Sequence, residues 1–227
     1  MKLRDLHRWD VTPKEAIAIQ RELASQVVRR GRLRGVRRIA GVDCSVDRRA
    51  QRGTGAVVVL SYPERELVEV AVEEAPLTFP YVPGLLSFRE VPILRAAFER
   101  VAGPIDLLLV DGQGYAHPRR FGLACHLGLL LDVPAIGVAK SRLCGEHSDL
   151  SGEDAVGSRA DLVDKGEVIG SVLRTRAGVK PLFVSVGHRL SLDEAEAWVL
   201  RSGRGYRLPE PTRIADHAAG GRVFTTA

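Results

Sequence analysis

The chain has 227 residues, of which 45% are hydrophobic and 27% charged, and its formal net charge at pH 7 is +5. These values are typical of a globular protein with a core, and they permit a polyanionic partner without requiring one. No apolar stretch approaches the roughly 18 residues of a membrane span, and the opening MKLRDLHRWD lacks the core of a signal peptide, so we expect a cytoplasmic protein without membrane contact.

The three cysteines, Cys44, Cys125 and Cys144, lack zinc-ligand spacing, and we expect buried thiols.

The first predicted helix has a complete start signal. Thr12 is placed as the N-cap, Pro13 at the first helical position and Glu15 at the capping-box position, so a helix is expected to about Val28. Six arginines then crowd residues 29–38. They form either a solvated connection or a patch that faces phosphate groups.

Three strands are predicted next, over residues 38–43, 55–62 and 67–75, because β-branched and aliphatic residues fill each of these runs. A glycine-containing loop at 48–55 separates the first two strands, and a turn at Pro63 and Glu64 separates the last two. Such short connections favour an antiparallel meander.

The middle of the chain predicts a parallel unit. Residues 76–90 hold too many prolines for regular structure, and a helix is expected from Pro92 to just before Gly103. A strand over 106–111, a helix over about 120–131 and a strand over 134–141 then follow. A strand–helix–strand unit of this kind is expected to be parallel and right-handed.

The remaining third predicts a hairpin and two helices. The hairpin strands cover 166–175 and 180–188, and a capped helix follows from Ser191 to about Ser202. Pro209 precedes a last short helix. The predicted fold is therefore α/β: a mixed central sheet, an antiparallel three-strand meander continuing into parallel strands, flanked by helices in one domain over residues 1–227.

Two aspartates end apolar strands in this prediction. Asp43 follows the first strand and Asp111 follows the fourth. If these strands are parallel neighbours, the two carboxylates converge at one sheet edge, where open α/β sheets hold ligands. Carboxylate oxygens of this kind suit Mg²⁺ or Mn²⁺. Taken singly, each aspartate is more typical of a turn residue at a strand end, and the pair together favours the metal site.

Five other residues have both a functional and a structural interpretation. Glu90 lies three residues after Ser87 and could complete a capping box, but Pro92 favours a later helix start, which leaves Glu90 in the entry loop and free to bind metal. Lys140, at a strand end beside the aspartates, is either a solvated lysine or a phosphate contact.

Tyr81, between prolines, is either a packed turn residue or a ring suited to wedging between bases. His117 is a turn residue, a phosphate contact or a proton carrier, and the spacing of Asp216 alone favours a surface carboxylate paired with arginine.

The sequence closely resembles the endonuclease V family, which nicks nucleic acid near deaminated adenine. The matching segments occur in order and span nearly the whole chain. They are HRWD (7–10), AGVDCS (40–45), TFPYVPGLLSFRE (78–90), VDGQGYAHPRRFGLACHLG (110–128), IGVAKSRL (136–143), IGSVLRT (169–175), VSVGH (184–188) and PEPTRIAD (209–216).

This resemblance implies an RNase H-like fold and a set of site residues. The implied metal carboxylates are Asp43, Glu90, Asp111 and Asp216, and Lys140 and His117 are the implied active-site lysine and histidine. The implied strand-separating wedge contains Pro80, Tyr81, Val82 and Pro83. The implied pocket for an extruded base contains Gly84, Leu86, Gly112, Gly122 and Leu123.

The same resemblance implies the reaction. We expect a Mg²⁺-dependent DNA repair endonuclease, in which Mn²⁺ can substitute, that recognises deoxyinosine. It is expected to cut the second phosphodiester bond on the 3′ side of the lesion and to leave 3′-hydroxyl and 5′-phosphate ends. We expect a monomer without an organic cofactor. The alternatives are an endoribonuclease acting on inosine-containing RNA and a non-catalytic damaged-DNA-binding module.

Overall fold

The computed structural model describes residues 3–150, 154–222 and 224. In these residues the chain forms eight strands and five helices. The strands are β1 (Arg38–Asp47), β2 (Arg52–Ser61), β3 (Leu67–Pro76), β4 (Leu107–Val110), β5 (Ala135–Ala139), β6 (Arg159–Asp164), β7 (Glu167–Leu173) and β8 (Leu182–His188). The helices are α1 (Pro13–Ala24), α2 (Leu86–Arg100), α3 (Leu123–Leu131), α4 (Leu192–Arg201) and α5 (Glu210–Ala219).

All eight strands belong to one mixed sheet in the order β3-β2-β1-β4-β5-β8-β7-β6. Strands β1, β2 and β3 form the predicted antiparallel meander, and β1, β4 and β5 form the predicted parallel centre. The last three strands continue the sheet in antiparallel pairs. The expected fold class is therefore confirmed, and β1 does lie beside β4.

The central strands are covered on both faces. Leu108 of β4 packs in the cluster that contains Leu94 of α2 and Leu127 of α3. Its neighbour Leu107 points to the opposite cluster with Trp198 of α4. All four residues of β4 are buried, as expected of a parallel strand between two helical layers.

Helix α5 lies directly on β1. A Cβ atom added to Gly41 would come within 2.1 Å of the Pro211 backbone carbon, so only glycine permits this approach. The helix also buries Ile214 and Ala215 against Val58 of β2. This packing brings Asp216, the next residue, to the edge of the sheet.

The two helix starts that capping residues predicted, those of α1 and α4, are confirmed. Thr12 and Glu15 form the complete capping box, and the Ser191 side chain accepts a hydrogen bond from the backbone N–H of Glu194. Helix α1 ends at Ala24, four residues before the expected end at Val28. No helix in the described residues is long and apolar enough to cross a membrane.

Among the expectations that were wrong, two concern elements that carry site residues. Helix α2 begins at Leu86 and contains Pro92, so Glu90 lies on a helix and not in a loop. The buried apolar face around Phe88 and Leu94 outweighs the local cost of the proline, which removes one backbone hydrogen bond. Strand β1 also continues beyond Asp43, because it pairs with β2 as a long hairpin to Asp47.

Candidate active site

Three aspartates from three elements meet at one edge of the sheet. Asp43 follows the last parallel pair between β1 and β4, Val42 with Val110, and Asp111 is the first residue after β4. Asp216 approaches from α5 on one face of the sheet. One ligand oxygen from each aspartate lies within 4.8 Å of the other two.

Glu90 adds a fourth carboxylate from α2, and its side chain is buried. Burial raises the pKa of Glu90 to about 8, and repulsion from Asp43 and Asp111 contributes. Burial also raises the pKa of Asp43 to about 7, with a further contribution from Asp111, and raises the pKa of Asp111. Carboxylates that raise one another's pKa repel one another when ionised. A divalent cation, which prefers such oxygen ligands, would offset this repulsion.

Lys140 supplies a positive charge to this acidic cluster. It follows the end of β5, and its ammonium nitrogen lies 2.5 Å from Oδ2 of Asp111 and 2.6 Å from Oδ1 of Asp216. Burial acts to lower the pKa of this ammonium, but its hydrogen bonds to Asp111 and Asp216 raise it above the ordinary value. Lys140 therefore remains charged at neutral pH.

Arg207 holds the backbone beneath this lysine. Its guanidinium donates to the carbonyl oxygens of Lys140 at 2.7 Å, Pro181 at 2.9 Å and Lys180 at 2.8 Å. Its own carbonyl accepts a hydrogen bond from the Thr175 hydroxyl. These contacts fasten the end of β5 to the β7–β8 hairpin and to the segment that leads into α5.

A cavity of about 400 Å³ opens beside the acidic cluster. Asp111 and Lys140 form part of its wall, so the cavity and the cluster share residues. All five residues that the family resemblance assigns to a base pocket line it, namely Gly84, Leu86, Gly112, Gly122 and Leu123. The structure therefore brings together the segments that carry the predicted metal and pocket residues.

Close backbone approaches explain the glycines of this wall. A Cβ atom at Gly122 would lie 2.3 Å from the Gln113 carbonyl oxygen, which excludes any other residue. At Gly84 the φ angle is +78°, a conformation that glycine adopts without strain. At Gly84 and Gly122 the wall is therefore formed by backbone atoms.

The segment that contains Pro80, Tyr81, Val82 and Pro83 lies at the mouth of the cavity. Tyr81 and Pro83 line it, and the Tyr81 side chain is 64% exposed. The guanidinium groups of Arg48 and Arg89 each lie 5.9 Å from the centre of the Tyr81 ring. The ring therefore projects into solvent from a loop stiffened by prolines. Both side chains that approach the ring, Arg48 and Arg89, are positively charged.

His117 contacts backbone and not the carboxylates. Its Nδ1 accepts a hydrogen bond from the Arg119 N–H, so its Nε2 must be the donor to the Gly84 carbonyl oxygen at 2.9 Å. Burial lowers the pKa of His117 to about 4, and Arg119 lowers it further. The imidazole is neutral at physiological pH, and both nitrogens are engaged.

Sequence reasoning missed several residues of this region, among them Gln20 and Arg207. Gln20 lines the cavity from α1, and Arg207 acts through carbonyl groups. Neither lies in a recognisable motif, and their partners are distant in sequence. The eight matching segments contain neither residue, so they gave no signal for these contacts.

A mixed sheet of this strand order, with carboxylates from β1, β4 and flanking helices at one edge, defines an RNase H-like nuclease. The sequence model of the family described as Endonuclease V matches residues 21–217. The chain belongs to the endonuclease V family, and it is a metal-dependent nuclease.

Its relatives cover nearly the whole chain. An Endonuclease V from Dehalococcoides mccartyi strain BAV1 is 53% identical over 219 residues, which are 96% of this chain and 97% of the relative. The crystal structure of Endonuclease V from Streptomyces avermitilis is 43% identical with a TM-score of 0.87 and covers 93% of each chain. The family and fold expected from the sequence are confirmed.

A third structure includes nucleic acid. Endonuclease V from Ciona intestinalis, in complex with a 24mer DNA containing an inosine followed by a ribo-adenosine, is 29% identical to this chain. Its TM-score is 0.81, and the match covers 91% of this chain and 95% of that one.

Proposed function

We propose that this protein is a Mg²⁺-dependent DNA repair endonuclease that recognises deoxyinosine and hydrolyses the second phosphodiester bond on its 3′ side. The products carry 3′-hydroxyl and 5′-phosphate ends. The observation that carries this proposal is the shared wall between the glycine-lined cavity and the acidic cluster at Asp111. When a base occupies the cavity, the sugar-phosphate backbone of the nucleic acid lies beside the carboxylates.

The metal is assigned to Asp43, Glu90, Asp111 and Asp216. When bound, Mg²⁺ lowers the pKa of an attacking water and stabilises the leaving 3′-oxygen. The protein contributes two aspartates fixed by paired strands and two carboxylates fixed by helices, so the donor geometry is set before substrate binds. Mn²⁺ has the same preference for oxygen ligands and substitutes for Mg²⁺.

Lys140 contacts the scissile phosphate in this proposal. Its ammonium lies beside the carboxylates and is charged at neutral pH, so it neutralises phosphate as the negative charge develops. His117 is neutral, with both nitrogens bonded to backbone. Its contribution is therefore to hold the Gly84 carbonyl at the mouth of the pocket, and not to supply a positive charge.

Recognition begins with strand separation by the segment at 80–83. The exposed Tyr81 ring enters the gap that the extruded nucleotide leaves, and extrusion is least costly at a weakened base pair. In the pocket, hypoxanthine offers a carbonyl acceptor where adenine carries an amine. An adenine would leave a buried donor unpaired, which costs about 1–3 kcal/mol.

A second candidate is cleavage of inosine-containing RNA by the same site. The Ciona intestinalis complex favours it, because the nucleotide that follows the inosine in that ligand is a ribonucleotide. Contacts to the 2′-hydroxyl decide between the two substrates. A monomer without an organic cofactor is sufficient for either reaction.

One labelled duplex with a single deoxyinosine tests the proposal. The protein is incubated with it in Mg²⁺ or in chelator, and the products are resolved on a denaturing gel beside a matched duplex with deoxyadenosine. We expect one Mg²⁺-dependent nick, one nucleotide beyond the lesion. Asp43→Ala and Asp111→Ala should abolish the nick and retain lesion binding.

Two results would count against it. Retarded but uncut DNA under all metal conditions would contradict an endonuclease acting on DNA. Cleavage of a matched single-stranded RNA with inosine, in the absence of any cleavage of the DNA duplex, would select the RNA candidate instead.

A further inference from the structure

Gln20 is a buried amide whose three hydrogen bonds join separate segments of the cavity wall. It is only 1% exposed and lines the cavity from α1. Its Nε2 donates to the carbonyl oxygens of Gly84 and Phe121, each at 3.0 Å, and its Oε1 accepts from Nε of Arg119. The side chain is thus held in a single orientation.

The two carbonyl groups belong to different segments, one that lines the cavity at Gly84 and one that leads into its wall at Gly122. Gly84 lies between β3 and α2, next to the segment at 80–83. Phe121 directly precedes Gly122, the N-cap of α3. Since Gly84 and Gly122 both line the cavity, the Gln20 amide fixes the distance between two backbone segments of its wall.

The Gly84 carbonyl is also unavailable to a ligand. Besides Gln20, it accepts hydrogen bonds from Nε2 of His117 at 2.9 Å and from Nη2 of Arg119 at 2.7 Å. Three donors exceed the two lone pairs of a carbonyl oxygen. The base must therefore be read by other groups of the wall, and Gly84 contributes by its position.

We propose that Gln20 is a positioning residue that determines base specificity by fixing the width of this pocket. The assignment rests on the proposed function, because it concerns the selectivity of that same site. Gln20 lies outside the 21–217 stretch that the family model matches. Its three hydrogen bonds involve neither the carboxylates nor Lys140, so the chemistry of phosphodiester cleavage does not depend on them directly.

The physical reason is the small difference between the competing bases. Hypoxanthine and guanine differ by one exocyclic amine, and hydrogen bonds that separate them require donor–acceptor distances held within a few tenths of an ångström. A wall freed from Gln20 can move outward and accept the larger base. It also leaves the Phe121 carbonyl without this donor.

The test compares Gln20→Leu and Gln20→Glu with wild type. Leucine removes all three hydrogen bonds, whereas glutamate keeps an acceptor for Arg119 and removes the donor to both carbonyls. Glu22→Gln, an exposed position on the same helix, is the matched control. The measured quantity is kcat/KM in Mg²⁺ for a duplex with one deoxyinosine, divided by that for the same duplex with one deoxyguanosine.

Both Gln20 variants should lower this ratio about tenfold, while the control leaves it unchanged. The Mg²⁺ concentration that gives the half-maximal rate should be the same in the variants and in wild type. All assays are run below the Tm of every variant, so that each protein is folded. A ratio within about twofold of wild type in either Gln20 variant would overturn the assignment. Wild-type protein that does not prefer deoxyinosine would overturn the proposed function itself, and the assignment with it.

Discussion

The ammonium nitrogen of Lys140 lies 2.5 Å from Oδ2 of Asp111. The same ammonium reaches Asp216 at 2.6 Å, so one cation joins a carboxylate after β4 to a carboxylate on α5. These contacts fix the lysine among the carboxylates of the cluster. In the proposed function this charge contacts the scissile phosphate.

Lys140→Met should therefore reduce kcat by about a hundredfold or more, because a charged donor to the phosphate is lost. The affinity for Mg²⁺ should not fall, since the variant removes a competing cation. Single-turnover cleavage across a Mg²⁺ titration separates the two effects. Lys14→Met, an exposed position on α1, serves as control. A wild-type cleavage rate in Lys140→Met would contradict the role.

Arg207 should matter for rate because it holds the Lys140 carbonyl. A lysine at this position cannot donate in a fork to three carbonyls, so Arg207→Lys should lose about tenfold in kcat, and Arg207→Met at least as much. Binding of deoxyinosine DNA in chelator should be unchanged, because the pocket is intact. If Arg207→Lys cleaves at the wild-type rate, the guanidinium geometry is not required.

The pocket glycines provide a matched pair of substitutions. In Gly122→Ala the new Cβ would lie 2.3 Å from a backbone carbonyl oxygen, and we expect a loss of about 3 kcal/mol or more in the free energy of unfolding. In Gly112→Ala it would lie 3.3 Å from Cδ2 of Leu123, a side chain that can move. That variant should lose less than about 1 kcal/mol. Urea unfolding measures both, and equal losses would contradict the wall geometry.

His117 should make the protein sensitive to acid. Its pKa is lowered from 6.5 to about 4 in the folded protein, so between these values the unfolded chain binds a proton that the folded chain does not. This contribution to stability is complete above pH 6.5 and is lost as the pH falls, by roughly 1.4 kcal/mol per unit.

The corresponding measurement compares His117→Gln with wild type. Glutamine can still donate to Gly84 but does not titrate, so wild-type stability should fall faster than that of the variant between pH 6.5 and 4.5. Urea unfolding in chelator removes any effect of metal binding. Parallel pH profiles for the two proteins would show that His117 does not carry this dependence.

Local signals predicted much of this fold. The capping residues Thr12 and Ser191 located two helix starts, and buried apolar runs located the central strands. The same local reasoning misplaced α2, because the penalty at Pro92 is local whereas the compensating burial of Phe88 is tertiary. Strand β6 was not predicted, since its sequence alternates between exposed and buried residues with little apolar content.

The site residues also divide into those with a local sequence signal and those placed by tertiary packing. Asp43 and Asp111 are detectable because each follows an apolar run. Asp216 is brought to them by the packing of α5 on Gly41, which spacing alone did not reveal. The hydrogen bonds of Gln20 span up to 101 residues, and no local pattern encodes contacts of that range.

Metal binding tests the central claim most directly. Calorimetric titration of Mn²⁺ into the DNA-free protein should give a binding isotherm that is weakened at least tenfold in Asp111→Asn and in Asp43→Asn. Asp161→Asn, an exposed position on β6, should bind as wild type does. Wild-type Mn²⁺ affinity in both cluster variants would contradict the account, because the carboxylates at this edge would then not be the metal ligands.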